Sequence, residues 1–148
     1  MIQGVCIKKV IKYSNKRGFF AELIKFGEDT FHEVMQTSYS ETKPGIVKAW
    51  HIHNYWEVWC IIKGQAKVAL YDTRPDSPTY GHTQIIYTGE DNMMIIAIPG
   101  NVAHGYKTIG DKTMGIIYHS SQIYNPKTTN IKEIPFDDPA INFDWSKP

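Results

Sequence analysis

The most informative segment of the sequence is Gly45-Ile-Val-Lys-Ala-Trp-His51-Ile-His53-Asn-Tyr-Trp-Glu57-Val-Trp-Cys-Ile-Ile-Lys-Gly64. It is rich in β-branched and aromatic residues, which favours a β-strand over a helix. Because side chains alternate between the two faces of a strand, the even steps between His51, His53 and Glu57 predict that these three share a face. The opposite face is predicted to pack against a core and carries Val58, Cys60 and Ile62. Three titratable side chains on one face indicate a functional site, because burying such groups without partners is costly.

A second histidine motif, Pro99-Gly-Asn-Val-Ala-His104-Gly-Tyr, follows later in the chain. Together the two motifs resemble those of the cupin superfamily over roughly residues 45–108, and they depart from it at Asn101, where the second motif has a glycine. The resemblance implies an all-β fold, a cupin jelly-roll antiparallel β-barrel with its site inside the barrel mouth. We expect residues 1–148 to form a single domain, with an extended, proline-containing tail from about residue 125 packed over the barrel.

The remainder of the chain fits such a barrel. Short strand-like runs separated by turn residues recur as far as His119, and no convincing amphipathic helix is predicted. By strand parity, Trp59 is expected to face the interior with the histidines, and Trp56 to pack on the other face. His32 and His82 are interpreted as solvent-exposed side chains.

Motifs outside the cupin pattern carry a closer resemblance. They are Arg17-Gly-Phe-Phe-Ala-Glu22, Gln36-Thr-Ser38, Lys48-Ala-Trp-His51, Asp72-Thr-Arg74-Pro-Asp76-Ser-Pro-Thr-Tyr-Gly81, Ala103-His104-Gly105 and Phe136-Asp-Asp-Pro139. In order and spacing they resemble the dTDP-4-dehydrorhamnose 3,5-epimerases over nearly the whole chain. The resemblance implies an isomerase that epimerises a nucleotide-linked 4-keto-6-deoxyhexose in deoxysugar and surface polysaccharide biosynthesis. In such an enzyme a base removes a proton beside the ketone and an acid reprotonates the carbon on the other face.

The same resemblance assigns roles to individual residues. His51 stands where the family has its base, and Tyr118 stands where it has the acid of the opposite face. A homodimer is also implied, with a partner chain covering short sheet edges and the strand-rich N-terminus. Positions that would contact the nucleotide or the sugar are Arg17, Glu22, Gln36, Ser38, Lys48 and His104. The aromatic residues that are candidates for stacking on a base or sugar ring are Trp50, Tyr55 and Trp56.

Several positions depart from the family pattern. Glu57 stands where the family has a lysine near the keto oxygen, and His53 replaces a glutamine. Thr129 aligns with a glutamate of the family. The family's base is oriented by an aspartate in a C-terminal segment, and this chain, which stops at Pro148, has no counterpart of it. The changes at His53 and Glu57 convert an ordinarily metal-free site into the metal-type cupin pattern.

That pattern predicts a metal site formed by His51, His53, Glu57 and His104. Three imidazoles and a carboxylate suit a divalent ion such as Zn, Fe, Ni or Mn, and spacing does not choose among these metals. A metal there would replace the missing lysine as the group that stabilises an enolate. The alternative is a polar, hydrogen-bonded cluster that binds no metal, in which case the protein needs no cofactor.

Two other functions fit the same residues. One is a metal-dependent cupin enzyme of different chemistry, such as an oxygenase or a sugar-phosphate isomerase. The other is a non-catalytic sugar-binding cupin, which the missing C-terminal aspartate favours. Exchange of solvent deuterium into a 4-keto sugar separates epimerisation from both alternatives.

Composition limits the kinds of binding partner and the cellular compartment that we expect for this protein. The chain has 16 basic and 15 acidic residues and a net charge of +1, so there is no electrostatic case for binding nucleic acid or an anionic membrane. No stretch approaches the ~20 apolar residues of a membrane span, and no signal peptide is recognised. The two cysteines, Cys6 and Cys60, lie far apart without C-x-x-C spacing, which predicts a reduced, cytoplasmic protein.

Overall fold

The chain folds into β-strands joined by turns and loops in the computed structural model, which describes residues 1–127 and 131–148. These residues contain no helix that is long and apolar enough to cross a membrane. The all-β prediction is confirmed. In chain order the strands are β1 (Cys6–Lys9), β2 (Tyr13–Asn15), β3 (Gly18–Phe20), β4 (Gln36–Thr42), β5 (Val47–His53), β6 (Glu57–Lys63), β7 (Gln65–Asp72), β8 (Thr83–Gly89), β9 (Met94–Ile98), β10 (Val102–Ile109), β11 (Met114–Ser120) and β12 (Ile131–Glu133).

Two five-stranded antiparallel sheets make up the barrel. The first sheet has the strand order β1-β9-β6-β11-β4, and the second sheet has the order β12-β5-β10-β7-β8. Strands β2 and β3 pair with each other in a separate hairpin. Because β5 and β6 follow one another in the chain but belong to different sheets, their inward side chains meet across the interior.

An apolar core fills the space between the sheets. Its members come from both sheets, and each fully buried aliphatic side chain contributes roughly 1.5–3 kcal/mol of transfer free energy. Three members of this core, Trp59, Tyr106 and Ile116, also line the cavity described below, so the core forms one wall of the site. The other buried members include Ile61, Val68, Leu70, Ile96, Ile98, Val102 and Met114.

A second apolar layer covers the outer face of the first sheet. Val58 and Cys60 are 2% exposed and pack there with Ile95 and Ala97, so the prediction that they face a packed core is confirmed. N-terminal residues such as Leu23 lie against this layer. This packing fixes β6, which carries Glu57 and Trp59 on its inner face.

Residues 45–64 are predicted to contain two strand-like runs, residues 46–53 and 58–62, and the structure has a strand at each. The parity argument that follows His51, His53 and Glu57 along a single strand is wrong. Strand β5 ends at His53 and β6 begins at Glu57, and the intervening residues carry the chain from the second sheet to the first. His53 and Glu57 nevertheless share the interior, because the two sheets face each other. The backbone N–H of Asn101 donates a hydrogen bond of 2.6 Å to the His53 carbonyl, which ties this crossover to the turn before β10.

Asn101 explains one departure from the cupin pattern. Its φ of 62° lies in the left-handed region, which glycine adopts freely and asparagine tolerates better than most other residues. Asparagine therefore fills the position of the motif's glycine without forcing a different turn.

The C-terminal tail packs against the outer face of the second sheet. Trp50 is fully buried there, with ring centroids 5.2 Å from Trp145 and 5.6 Å from Phe143. The expectation that Trp50 stacks on a ligand is therefore wrong, because its ring faces this outer cluster and not the interior. The tail also supplies β12, a short strand that pairs with β5 and is not predicted from the sequence.

Candidate active site

A cavity of about 790 Å³ opens between the two sheets, a size typical of small-molecule sites. The second sheet contributes side chains from β5, β10 and β12, and the first sheet contributes side chains from β4, β6 and β11. The lining residues are Gln36, Ser40, Lys48, His51, His53, Tyr55, Glu57, Trp59, His104, Tyr106, Ile116, Tyr118, Ser120, Tyr124, Ile131 and Glu133.

His51 and Tyr118 stand on different walls of this cavity. His51 lies on β5 of the second sheet, and Tyr118 lies on β11 of the first sheet. A ligand held between the sheets therefore meets an imidazole on one side and a phenol on the other. This is the arrangement needed to remove a proton from one face of a carbon and to return one to the opposite face.

An irregularity in strand pairing brings Lys48 into the cavity beside His51. His104 pairs with His51, but Tyr106 pairs with Lys48, so β5 carries one extra residue over this interval. A bulge of this kind changes the face to which a side chain points. Lys48 and His51 are an odd number of residues apart, and both line the cavity.

His51 is partly exposed and has an acidic neighbour. Nε2 of His51 lies 3.6 Å from Oε1 of Glu133, which is its register partner on β12. Burial lowers the pKa of His51, the Glu133 carboxylate opposes that shift, and the charge of Lys48 reinforces it. The net result is a pKa below the usual histidine value, so the imidazole is neutral near pH 7 and can accept a proton.

A buried cluster of His53, Glu57 and His104 lies deeper in the cavity. The three side chains offer ligand atoms that all lie within 4.8 Å of one another. Nε2 of His53 is 3.6 Å from Glu57 Oε1, and Nε2 of His104 is 3.4 Å from Glu57 Oε2. Since His53 and His104 belong to the second sheet and Glu57 to the first, the cluster joins the two walls.

Desolvation dominates the ionisation of this cluster. Burial raises the pKa of Glu57 to about 7, and a 2.8 Å hydrogen bond from the Trp59 indole N–H partly opposes the rise. Burial and the charge of His51 lower the pKa of His53 to about 4. Burial and the charge of His53 also lower the pKa of His104. Both imidazoles are therefore neutral near pH 7, with a lone pair on each ring.

Of the four residues predicted to bind metal, the structure groups three. His51 stands apart, with its ring centroid 6.3 Å from that of His104, whereas the His53 ring lies 4.6 Å from His104. The close contact of His51 is with Glu133. The geometry therefore separates a partly exposed histidine from a buried group of three.

The predicted substrate-binding residues divide between the cavity and the surface. Gln36, Lys48 and His104 line the cavity. Ser38 accepts a 3.2 Å hydrogen bond from the Gln36 amide, and Gln36 Oε1 accepts one from the backbone of Tyr124. Ser38 thus supports a lining residue and is not itself part of the lining. Thr129, aligned with a glutamate of the family, lies outside the described residues.

Arg17 and Glu22 lie outside the cavity. Both are exposed; the backbone N–H of Arg17 bonds to Asn15 in the β2–β3 turn, and Glu22 forms a surface ion pair with Lys25. Within one chain these two residues do not line the site with His51. A role in binding would require contact with the cavity of a second copy.

Two aromatic pairs show which way the side chains between β5 and β6 point. Tyr55 lines the cavity and stacks on His53 with ring centroids 4.5 Å apart. Trp56 stacks on His32 at 3.4 Å in the outer layer, as its predicted parity requires. His32 is half-buried by this stacking and not fully solvent-exposed as predicted, and this partial burial lowers its pKa.

Glu133 and Tyr124 line the cavity but were not among the predicted site residues. Both lie beyond β11, Tyr124 just before the segment interpreted as an extended tail and Glu133 within it. The strand that positions Glu133 is only Ile131–Glu133 long, too short to produce a recognisable alternation. Its pairing with β5 is a long-range contact that no local pattern encodes.

Comparison with known proteins agrees with this fold. Residues 1–148 match the family model described as dTDP-4-dehydrorhamnose 3,5-epimerase. The chain is 45% identical over 147 residues to the spore coat polysaccharide biosynthesis protein SpsL of Bacillus subtilis (strain 168). The aligned region covers 99% of this chain and 97% of the relative. It is 34% identical over 148 residues to the probable low-salt glycan biosynthesis epimerase Agl13 of Haloferax volcanii. That alignment covers 98% of this chain and 95% of the relative.

Solved structures show the same architecture. The crystal structure of a dTDP sugar isomerase from Desulfovibrio desulfuricans G20 superposes with a TM-score of 0.91 at 24% identity, covering 99% of this chain and 94% of that one. At this level of identity the match establishes the jelly-roll fold and does not assign residue roles.

Proposed function

Because the chain belongs to the dTDP-4-dehydrorhamnose 3,5-epimerase family, we propose that it epimerises a dTDP-linked 4-keto-6-deoxyhexose at a carbon beside the ketone. The observation that carries this proposal is the placement of His51 and Tyr118 on different walls of one cavity. A sugar ring bound between the sheets presents its two faces to these two side chains. The relatives in spore coat polysaccharide and glycan biosynthesis support a role in assembling surface polysaccharide.

His51 is the proposed base. Its imidazole takes the proton from a carbon adjacent to the ketone, and the electron pair of the broken C–H bond moves to the keto oxygen as an enolate forms. The lowered pKa of His51 keeps it unprotonated before this step. Glu133 then lies close enough to stabilise the imidazolium that results, at 3.6 Å from Nε2.

Tyr118 is the proposed acid. Its phenol donates a proton to the same carbon from the other wall, while the electron pair of the enolate returns to form the new C–H bond. The configuration of the carbon is inverted, His51 then releases its proton to solvent, and Tyr118 takes one up from solvent. Because the phenolic proton of Tyr118 exchanges with solvent, deuterium from D2O is expected to enter the epimerised product.

The rest of the cavity suits a charged, partly planar ligand. Lys48 supplies a cation for a diphosphate, although its ammonium lacks the fork geometry of an arginine. Gln36 is held in place from both ends by Ser38 and Tyr124, so its amide is oriented for a polar contact. The exposed part of the Tyr55 ring offers a surface for stacking.

A homodimer completes the proposed site. The β2–β3 hairpin exposes Tyr13, Phe19 and Phe20 at 56%, 55% and 62%, and exposed aromatic patches are typical of contact surfaces. Arg17 lies in the turn of the same hairpin. A second copy that receives this hairpin would cover the aromatic residues and bring Arg17 and Glu22 to its own cavity.

The compartment proposed is the cytoplasm. Cys6 and Cys60 are both free, and burial raises the pKa of the Cys60 thiol to about 11. A buried, protonated thiol and the lack of a disulfide between these two residues suit a reducing environment.

Incubation with dTDP-4-keto-6-deoxyglucose in D2O tests the proposal. Mass spectrometry and NMR are expected to show deuterium at C3, C5 or both, and His51→Asn is expected to abolish it. His82→Asn, an exposed histidine outside the cavity, serves as the matched control and should retain exchange. Binding of the nucleotide sugar without any exchange by the wild-type protein would contradict the proposal and favour a sugar-binding cupin.

A further inference from the structure

The buried cluster of His53, Glu57 and His104 has the chemistry of a metal site. We propose that these three side chains bind one divalent first-row transition metal ion at the base of the cavity. The proposal concerns the same cavity as the epimerase reaction, but it rests on the donor atoms alone and its test does not depend on turnover.

Spacing is the first argument. Two donors that each lie about 2.1 Å from a tetrahedral metal ion are ~3.4 Å apart. The separations in the cluster are 3.6 Å from His53 Nε2 to Glu57 Oε1 and 3.4 Å from His104 Nε2 to Glu57 Oε2. Both exceed the ordinary length of a hydrogen bond, so the carboxylate and the two imidazoles are spaced as ligands and not as hydrogen-bonded partners.

The orientation of the donors is the second argument. Nδ1 of His104 lies 2.9 Å from the carbonyl oxygen of Val102. Since a carbonyl only accepts, Nδ1 must carry the proton, and the lone pair is on Nε2, which points at Glu57. The Trp59 indole N–H holds Glu57 Oε2 at 2.8 Å. Such outer contacts orient the ligands of metal sites.

Charge balance is the third argument. Glu57 is 7% exposed, and a buried carboxylate is costly unless it is paired or protonated. Among the described residues, no Lys or Arg forms an ion pair with Glu57, and the basic side chains within 4.0 Å of its oxygens are those of His53 and His104. A divalent cation would neutralise the carboxylate and take up both imidazole lone pairs at once.

The donor set indicates which ions fit. Two histidines and one carboxylate are the ligands of catalytic zinc sites with an open position and of non-haem iron sites. When bound here, such an ion supplies Lewis-acid polarisation of a keto oxygen, where the family has a lysine and this chain has Glu57. His53 and Glu57 are the two positions at which the chain departs from the metal-free pattern.

The test is titration of chelator-treated, dialysed protein with Co²⁺, followed by equilibrium dialysis and visible absorption. The wild-type protein is expected to bind one Co²⁺ per chain and to develop the absorption bands of a protein-bound, low-symmetry ion. Glu57→Gln and His53→Ala should each weaken binding by more than about 100-fold, because even outer-shell changes cost 10- to 100-fold. His82→Ala, in an exposed loop, is the control and should bind as the wild type does.

Folding is checked in parallel by thermal unfolding with and without Zn²⁺. A ligand that binds the folded chain raises its melting temperature, so the rise should appear in the wild type and in His82→Ala and be lost in the two cluster variants. His51→Asn separates the two proposals, because it is expected to keep Co²⁺ and to lose deuterium exchange. A wild-type protein that binds no Co²⁺, or that binds it as well after both cluster substitutions, would overturn the metal site.

Discussion

Oε1 of Glu133 lies 3.6 Å from Nε2 of His51, and the two residues are register partners on β12 and β5. Glu133 reaches His51 from β12, the short strand Ile131–Glu133. It gives the proposed base an acidic neighbour from a segment that is interpreted from sequence as an extended tail.

Glu133→Gln is predicted to lower kcat about fivefold with little change in KM. The carboxylate is 79% exposed, and exposed ion pairs contribute up to about 1 kcal/mol, which corresponds to a factor of about five in rate. Its effect falls on the imidazolium that forms during proton transfer and not on binding of the ground state. Steady-state kinetics on the dTDP-4-keto sugar measures both constants.

Lys132→Gln is the matched control for that variant, because Lys132 neighbours Glu133 on β12 and is exposed. It should leave kcat unchanged. Equal losses of kcat in the two variants would mean that the substitutions act by destabilising β12. That result would contradict a specific role for the Glu133 carboxylate beside His51.

Arg17 is predicted to act in the cavity of a second copy. Arg17→Ala and His51→Asn should each be inactive alone, yet mixed dimers of the two should recover activity. In such a dimer the chain with intact His51 receives Arg17 from its partner, so about a quarter of all sites become complete after random assortment. The variants are refolded together, and activity is compared with the same variants refolded separately.

Light scattering provides the independent check on assembly. A dimer has twice the chain mass of 17.0 kDa. A monomer in solution, or a mixture that stays as inactive as its components, would contradict the exchange of the hairpin between copies.

The loop after β7 is predicted to be a stability element, centred on Asp72. This carboxylate is fully buried and accepts hydrogen bonds of 2.8 Å from Arg74 through both oxygens, with further bonds of 2.6 Å from Ser77 and Thr79. Asp72→Asn should lower the free energy of unfolding by about 2 kcal/mol, because hydrogen bonds between charged groups contribute roughly that much. Chemical denaturation near neutral pH measures the loss.

The same residue predicts a pH dependence. Burial raises the pKa of Asp72, but the hydrogen bonds from Arg74, Ser77 and Thr79 outweigh it and leave the pKa well below the usual value. The unfolded chain therefore binds this proton first as the pH falls, so the contribution to stability is complete above about pH 4 and is lost in more acidic solution. The difference between wild type and Asp72→Asn should shrink as the pH falls below 4. Asp76→Asn, exposed in the same loop, should follow the wild-type curve, and a difference that stayed constant would contradict this account.

Much of the fold could be predicted from local patterns. Alternation of residue types locates most strands, and the resemblance of the two histidine motifs to those of the cupin superfamily implies the jelly roll. Parity also separated Trp59, which faces the interior, from Trp56, which packs on the outer layer. These features succeed because each depends on residues that are close in the sequence.

The remainder depends on contacts that a single sequence does not display. The crossover between His53 and Glu57 places the two residues in different sheets, and a parity argument along one strand cannot detect it. The bulge that brings Lys48 to the cavity depends on the register between β5 and β10. The burial of Trp50 and the approach of Glu133 depend on how the tail packs. Arg17 and Glu22 were predicted from resemblance alone, and one chain does not place them in the cavity.

Deuterium exchange by Tyr118→Phe tests directly whether a base and an acid act from opposite walls of the cavity. Incubated with dTDP-4-keto-6-deoxyglucose in D2O, this variant keeps His51 and loses the phenol of the facing sheet. We expect that it still incorporates deuterium beside the ketone with retention of configuration, while formation of the epimerised product falls by more than about 100-fold, the scale of general acid catalysis. A variant that forms the epimerised product as fast as the wild type would contradict the assignment of base and acid to opposite walls of the cavity.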